Sequence, residues 1–393
     1  MNKNRYIYLD NSATTQICKE ALDKYNEVSA LCFGNPSSLH SLGLAAEKEL
    51  NSARDAVLSS IGERDSSVVF TASGSEANNL AIIGRALSKE RYRRGAKIIT
   101  TEGEHASVSA PIDRLVELGF KIVKIPTKVG KLDTDALIRE MSHDVILVSV
   151  MMVNNETGAL YDIHAVSKIM REKAPEALLH VDATQSYMKF RFTKRALGAD
   201  MITLSSHKIE GPKGVGALVI DNKIIKSRGL APVILGGGQE GGLRSGTENV
   251  PAIAAFGEAI RVGMQNIDQN TRKLQELRNY LLEKLSDSDC FSGISVTNPE
   301  NHAPHILNIT LPSIKSETIL HYLSSLGIYV SSGSACSSNS NHTSSALTAY
   351  GRSAAEADSS IRISFSHRNK KEDVDALCEG LSSALSKLAR IRK

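Results

Sequence analysis

No cysteine pair with CxxC spacing occurs in this 393-residue chain, and its five cysteines (Cys18, Cys32, Cys290, Cys336 and Cys378) are scattered and odd in number. That pattern argues against a disulfide framework and fits a reducing, cytoplasmic compartment. Concentrated charge of one sign is also missing. The 47 basic and 43 acidic residues nearly cancel to a formal +4, so the dense basic surface that nucleic acid requires is not expected. The opening Met1-Asn2-Lys3-Asn4-Arg5-Tyr6 carries no apolar secretory segment. The most apolar run, Val145 to Val153, is far too short to span a bilayer. No repeat of solenoid length is visible.

What is present is ample material for a core. With 41% hydrophobic residues, a chain of this length predicts one large and one smaller domain. Short β-branched runs, Ser67–Phe70, Lys97–Thr101, Lys121–Ile125, Asp144–Met151, Leu178–Asp182, Met201–Ser205 and Gly216–Ile220, alternate with stretches long enough for crossover helices. That order implies an α/β fold: a mainly parallel seven-stranded sheet with helices on both faces and ligands at the carboxyl ends of its strands. From about Pro251 the pattern turns to long helices. Leu274, Leu277, Leu281 and Leu285 form one apolar stripe, and Val374, Leu377, Leu381, Leu385 and Leu388 another. With strands expected at His305–Leu311 and Ser360–Ser364, residues 261–393 together with 1–15 read as a smaller α+β domain beside a large domain of residues 16–260.

Two strand ends carry chemistry. Leu178-Leu179-His180-Val181 delivers Asp182 to the end of one strand, and the next delivers Ser205-Ser206-His207-Lys208 ahead of the turn Gly211-Pro212-Lys213-Gly214. An acid and a lysine at neighbouring strand ends match the needs of pyridoxal phosphate. The lysine anchors the aldehyde, and the carboxylate keeps the pyridine nitrogen protonated so that the ring accepts electrons. Either residue alone would pass as a loop cap or a surface cation. Phe70-Thr71-Ala72-Ser73-Gly74-Ser75-Glu76 follows a strand and opens a helix with capping-box spacing; its free amides and the Ser75 hydroxyl form an anion site. Ser205 and His207 would add donors. His105, in Glu104-His105, is placed to stack on the ring and shuttle protons. Asn155, in Asn154-Asn155-Glu156-Thr157-Gly158, could reach the ring hydroxyl and a substrate carboxylate.

Taken in order along the chain, these motifs resemble the NifS/IscS-like cysteine desulfurases of the class V aminotransferase family. The similarity runs almost end to end, through Tyr8–Thr15, Phe33–Ser38, Ser73–Glu76, Glu104-His105, Val153–Glu156, His180–Gln185, Ser206–Lys208, Arg244–Thr247, Ser332–Cys336 and Ser360–Arg362. The resemblance implies a fold type I pyridoxal 5′-phosphate transferase. Lys208 would carry the cofactor, with Asp182 at the ring nitrogen and Gln185 at the ring hydroxyl. Gly74, Ser75, Ser205 and His207 would hold the phosphate, and Thr247 would reach the phosphate of the partner subunit in a homodimer. Arg362 would clamp the α-carboxylate of L-cysteine, with Asn35 and Asn155 assisting. No metal site is expected.

The resemblance also implies that Cys336 receives the sulfur as a persulfide. It lies in Ser331–Ser345, where eight of fifteen residues are serine and no large apolar side chain anchors the segment, so an exposed, mobile loop is expected there. Burial as a small hydrophobe fits Cys378, beside the last apolar stripe, and Cys18, Cys32 and Cys290 are also read as structural. Three positions depart from the family pattern: Ser206, Ser75 and Glu210, the last adding negative charge near Lys208. A selenocysteine lyase or another class V aminotransferase is the nearest alternative; a sulfur carrier without turnover is the alternative from a different class. The sulfur acceptor, in iron–sulfur assembly or tRNA thiolation, is not named by the sequence.

Overall fold

The computed structural model describes residues 6–88, 95–311, 314–332 and 344–388. Its elements, in chain order, begin with β1 (Ile7–Tyr8), α1 (Lys19–Leu31), α2 (Ser41–Ser60), β2 (Ser66–Thr71), α3 (Gly74–Ala86), β3 (Lys97–Thr101), α4 (Ala106–Glu117) and β4 (Lys121–Ile125). Then come α5 (Thr134–Glu140), β5 (Val145–Met151), α6 (Ile163–Lys173), β6 (Leu178–Asp182), α7 (Lys194–Leu197), β7 (Met201–Ser205), β8 (Gly216–Asp221), α8 (Asn222–Lys226) and α9 (Val250–Ser286). The chain finishes with β9 (Ser295–Thr297), β10 (Ile306–Thr310), α10 (Ser316–Ser325), β11 (Ile328–Tyr329), β12 (Ser331–Ser332), α11 (Ser345–Tyr350), α12 (Ala354–Asp358), β13 (Ser360–Ser364) and α13 (Lys371–Leu388).

Seven strands form one sheet in the order β2-β8-β7-β6-β5-β3-β4. Pairings from β4 to β7 are parallel, whereas β8 runs antiparallel to both β7 and β2. The central strands are apolar on both faces because both faces are covered. Val148, Val150, Leu179, Val181 and Ile202 enter one buried cluster, and Ile146, Leu147, Leu178 and Met201 enter another on the opposite face. A second sheet, β12-β13-β10-β9, is antiparallel. It packs with Leu9, the leucines of α9 and the apolar face of α13 in a separate core.

Helix α9 serves both cores. Ile253, Phe256 and Ile260 join the large one, and Leu274, Leu277, Leu281 and Leu285 the smaller one. At 1.5 Å per residue its 37 residues span about 55 Å. Among the described residues, no helix is long and apolar enough to cross a membrane, and no cluster of side chains suited to a metal ion occurs.

Candidate active site

The carboxyl ends of the parallel strands converge on a cavity of about 320 Å³. Asp182 is the last residue of β6 and Ser205 the last of β7. Lys208 follows β7 in a single tight turn. His105 caps α4, and Gly74 and Ser75 open α3. All of these line the cavity, as do Gln185, His207, Asn155 and Arg362. Parallel strands end on the same edge, so residues distant in sequence meet there without any special loop.

Each side chain has a defined hold. Lys208 Nζ donates to the carbonyls of Ser12 and Ala13 at 2.5 and 2.7 Å. Asp182 accepts from the Thr184 amide at 2.9 Å and from Asn78 Nδ2 at 2.8 Å. The same Asn78 Nδ2 donates to Ser107 Oγ at 2.8 Å, and that hydroxyl lies 2.8 Å from His105 Nδ1. Having accepted from Asn78, the hydroxyl donates to His105. Nδ1 also accepts from the Ser107 amide at 3.1 Å. With two donors on Nδ1, the ring proton of neutral His105 is on Nε2. Burial, helped by the positive charges of Lys208 and Arg362 and opposed by Asp182, holds the His105 pKa below its ordinary value. His207 is pushed down to about 4 by burial and by Lys208 and Lys213, so it is a neutral donor at pH 7.

Arg362 enters from β13 of the smaller sheet. Its Nη1 donates to the Asn155 carbonyl at 2.9 Å and its Nη2 to Asp10 at 2.9 Å. Beside it, burial raises the Glu156 carboxyl to about 7, against the opposing influence of the Ser344 hydroxyl that it accepts. Glu104 does not line the cavity. It accepts from Thr101 Oγ1 and the Met151 amide, tying the ends of β3 and β5, and burial raises its carboxyl to about 8.

The donor set fits pyridoxal phosphate. Gln185 Oε1 and Arg362 Nε are buried polar atoms with no partner among the described residues, as expected where a ligand's hydroxyl and a carboxylate would complete the wall. The first-turn amides of α3, at Gly74 and Ser75, have no intrahelical acceptor. A side chain at Gly74 would meet Ser205 Cβ at 3.2 Å and Thr184 Oγ1 at 3.3 Å, so only glycine leaves that cradle open.

Asn35, expected here, is not brought to the cavity, and Thr247, expected at the partner subunit's phosphate, does not line this chain's own. Thr247 and Asn35 are exposed and do not line the cavity; the Asn35 carboxamide oxygen accepts instead from the Ser37 amide. Cys336 lies outside the described residues. Cys18 and Cys378 are buried and Cys32 is partly so, but Cys290 is exposed, unlike the structural role expected of it. Glu210 is engaged by Arg368 at 2.6 Å and by His367 at 3.3 Å. Sequence reasoning gave no part to Asn78, Ser107, Asp10 or the Ser12 and Ala13 carbonyls. Asn78 follows Ser75 by three positions, which places it on the same face of α3 as the cavity-facing first turn; that spacing was the available signal.

The chain is similar to known proteins over nearly its whole length. A family model described as aminotransferase class-V matches residues 7–377. A NifS/IcsS protein homolog from Lactobacillus delbrueckii subsp. bulgaricus is 38% identical over 94% of this chain and 94% of its own. Cysteine desulfurase IscS from Dictyoglomus turgidum is 36% identical over 98% of this chain and 96% of its own. Among solved structures, a NifS-like protein superposes with a TM-score of 0.89 at 32% identity, covering 97% of this chain and all of that one.

Proposed function

We infer that this chain, which belongs to the class-V aminotransferase family, is a cysteine desulfurase of the NifS/IscS type that takes sulfur from L-cysteine, releases L-alanine and holds the sulfur as a persulfide on Cys336. The observation that carries this reading is the convergence of Lys208, Asp182, His105 and Arg362 on one cavity whose wall contains Gln185 Oε1 and Arg362 Nε, neither with a partner among the described residues.

In this reading pyridoxal 5′-phosphate, when bound, supplies an electron sink next to the substrate Cα. Lys208 would hold it, Asp182 would face its ring nitrogen, Gln185 its hydroxyl, and Gly74, Ser75, Ser205 and His207 its phosphate. Arg362 binds the substrate carboxylate through its free edge while Asp10 and the Asn155 carbonyl fix the other side of the fork. Lys208 takes the Cα proton. His105, neutral with its proton on Nε2, holds the proton that must move as the carbon–sulfur bond breaks. Cys336 accepts the sulfur as a thiolate, because the thiol is a poor nucleophile. A homodimer, with Thr247 reaching the second copy's site, and a sulfur-acceptor protein complete the proposal.

The test separates cofactor chemistry from sulfur capture. Cys336→Ser should keep the yellow colour and its spectral response to L-cysteine yet release no sulfide with a reductant. Lys208→Ala should lose colour and turnover together. Sulfide release by Cys336→Ser at the wild-type rate would overturn the assignment.

A further inference from the structure

A second cavity, about 570 Å³, lies beyond the Lys208 turn: Lys208 lines the first cavity, and Ile209 and Glu210 line this one. Its walls are the start of α1, the middle of α9 and the turn after β13. Nothing in the proposed reaction uses it.

Its charge is unbalanced. Lys19, Lys189, Lys273 and Arg368 line it, with His367, against two carboxylates, Glu20 and Glu210. Lys189 is the telling residue. It is 8% exposed, and among the described residues no hydrogen bond or ion pair reaches its Nζ. Lys194, also buried, is met by both Asp221 and Glu63. The Lys189 side chain is mostly enclosed while lining the cavity, and so little solvent contact favours an anionic partner from that side. Burial pulls the Lys189 pKa down to about 8, opposed by the field of Glu210. Glu210 itself is already taken by Arg368 and His367.

The remaining walls suit an anion. Asn266, Gln269 and Asn270 share a face of α9 with Lys273 and present neutral amide donors. The start of α1 faces the same space, where Glu20 in its first turn already complements the positive end of the helix, so the anion's donors are the lysines and the α9 amides. Two non-glycine residues with left-handed backbone, Met188 (φ 57°) and Glu210 (φ 65°), both line the cavity. Such strain persists only where the surroundings enforce it.

We propose that this cleft is a binding site for a small oxyanion-bearing molecule, a phosphate or carboxylate, held by Lys189 and Lys273 with the amides of α9. A bound anion would supply the partner that Lys189 lacks and would compete with Glu210 for Arg368.

Calorimetric titration of the purified holoenzyme with inorganic phosphate and, separately, with malonate tests this. One saturable site per chain is expected for at least one probe, and which probe binds distinguishes a phosphate ligand from a carboxylate. Lys189→Met and Lys273→Met should each weaken binding by about tenfold or more, the loss expected for a charge-assisted hydrogen bond. Glu210→Gln should strengthen it several-fold by removing the competing carboxylate. Arg362→Met, which disables the first cavity, should leave it unchanged. The proposal is overturned if neither anion binds saturably, if binding survives both lysine changes, or if it is lost only in Arg362→Met.

Discussion

Replacing Ser107 by alanine removes one hydroxyl from the chain that links Asp182 through Asn78 to His105. Two consequences follow from the geometry. Asn78 Nδ2 keeps Asp182 as acceptor but loses Ser107, leaving one buried N–H unpaired at a cost of about 1–3 kcal/mol in stability. His105 Nδ1 loses one of its two donors and keeps the Ser107 amide at 3.1 Å. Donors to Nδ1 stabilise the neutral ring, so removing one makes the imidazole more basic. A neutral hydrogen bond contributes about 0.5–1.5 kcal/mol. At 1.36 kcal/mol per pH unit this raises the His105 pKa by roughly 0.4–1 unit. Wild-type His105 titrates below the ordinary imidazole value of 6.5, and the change moves it toward neutrality. The acid limb of the kcat/KM profile for sulfide release should therefore shift to higher pH by that amount. Ser107→Thr keeps a hydroxyl and should restore the wild-type limb. If Ser107→Ala leaves the acid limb in place, or Ser107→Thr shifts it equally, the hydroxyl does not set the state of His105.

Two further outcomes follow from single side chains. Glu104 has a folded pKa of about 8 against an ordinary 4.5, so the native state binds the extra proton. Its contribution is harmless below pH 4.5 and becomes increasingly destabilising as pH rises toward 8. Glu104→Gln removes that titration, and its urea midpoint should gain on the wild type from pH 5 to pH 8; a constant difference across that range would exclude the assignment. Arg362→Lys keeps the charge but loses the planar fork. Its KM for L-cysteine should rise by roughly 10- to 100-fold with cofactor content unchanged, and a KM within twofold of wild type would remove Arg362 from the carboxylate site.

The strands of the large sheet were legible because both faces are buried: runs such as Val145–Met151 are apolar on both faces apart from Ser149, whose hydroxyl is paired with His180, and their ends differ from expectation by only a residue or so. The direction of β8 was not legible, since Gly216–Ile220 reads alike whichever way its neighbours run, and the antiparallel choice comes from pairing with β2 and β7. A boundary placed near residue 260 falls inside α9, because one amphipathic helix changes partners midway without any break in its pattern. The site residues at strand ends were legible from type and position. Asn78 and Ser107 were not, because a polar residue early in a helix looks the same whether it meets solvent or a carboxylate 104 residues away. Asp10 and the Ser12 and Ala13 carbonyls act through backbone and long-range placement, which composition does not encode.

Asp10 explains how a buried guanidinium can wait for a substrate. Arg362 is 4% exposed, and a positive charge so enclosed would be costly without a counter-charge. Asp10 supplies it at 2.9 Å, while the Asn155 carbonyl satisfies a second donor. Both partners sit on the Nη atoms, and Nε is left without one among the described residues. The guanidinium is therefore desolvated and oriented before any carboxylate arrives, with an edge still available to it. A carboxylate binding there meets a donor whose desolvation and side-chain ordering are already complete, which is where preorganised sites gain affinity. The arrangement needs both sheets: β13 provides the arginine, the turn after β5 provides the carbonyl, and the segment after β1 provides the aspartate. The segment after β1 also ties the clamp to Lys208 directly: Asp10 holds Arg362 while the Ser12 and Ala13 carbonyls hold Lys208, so this segment links the carboxylate clamp to the lysine.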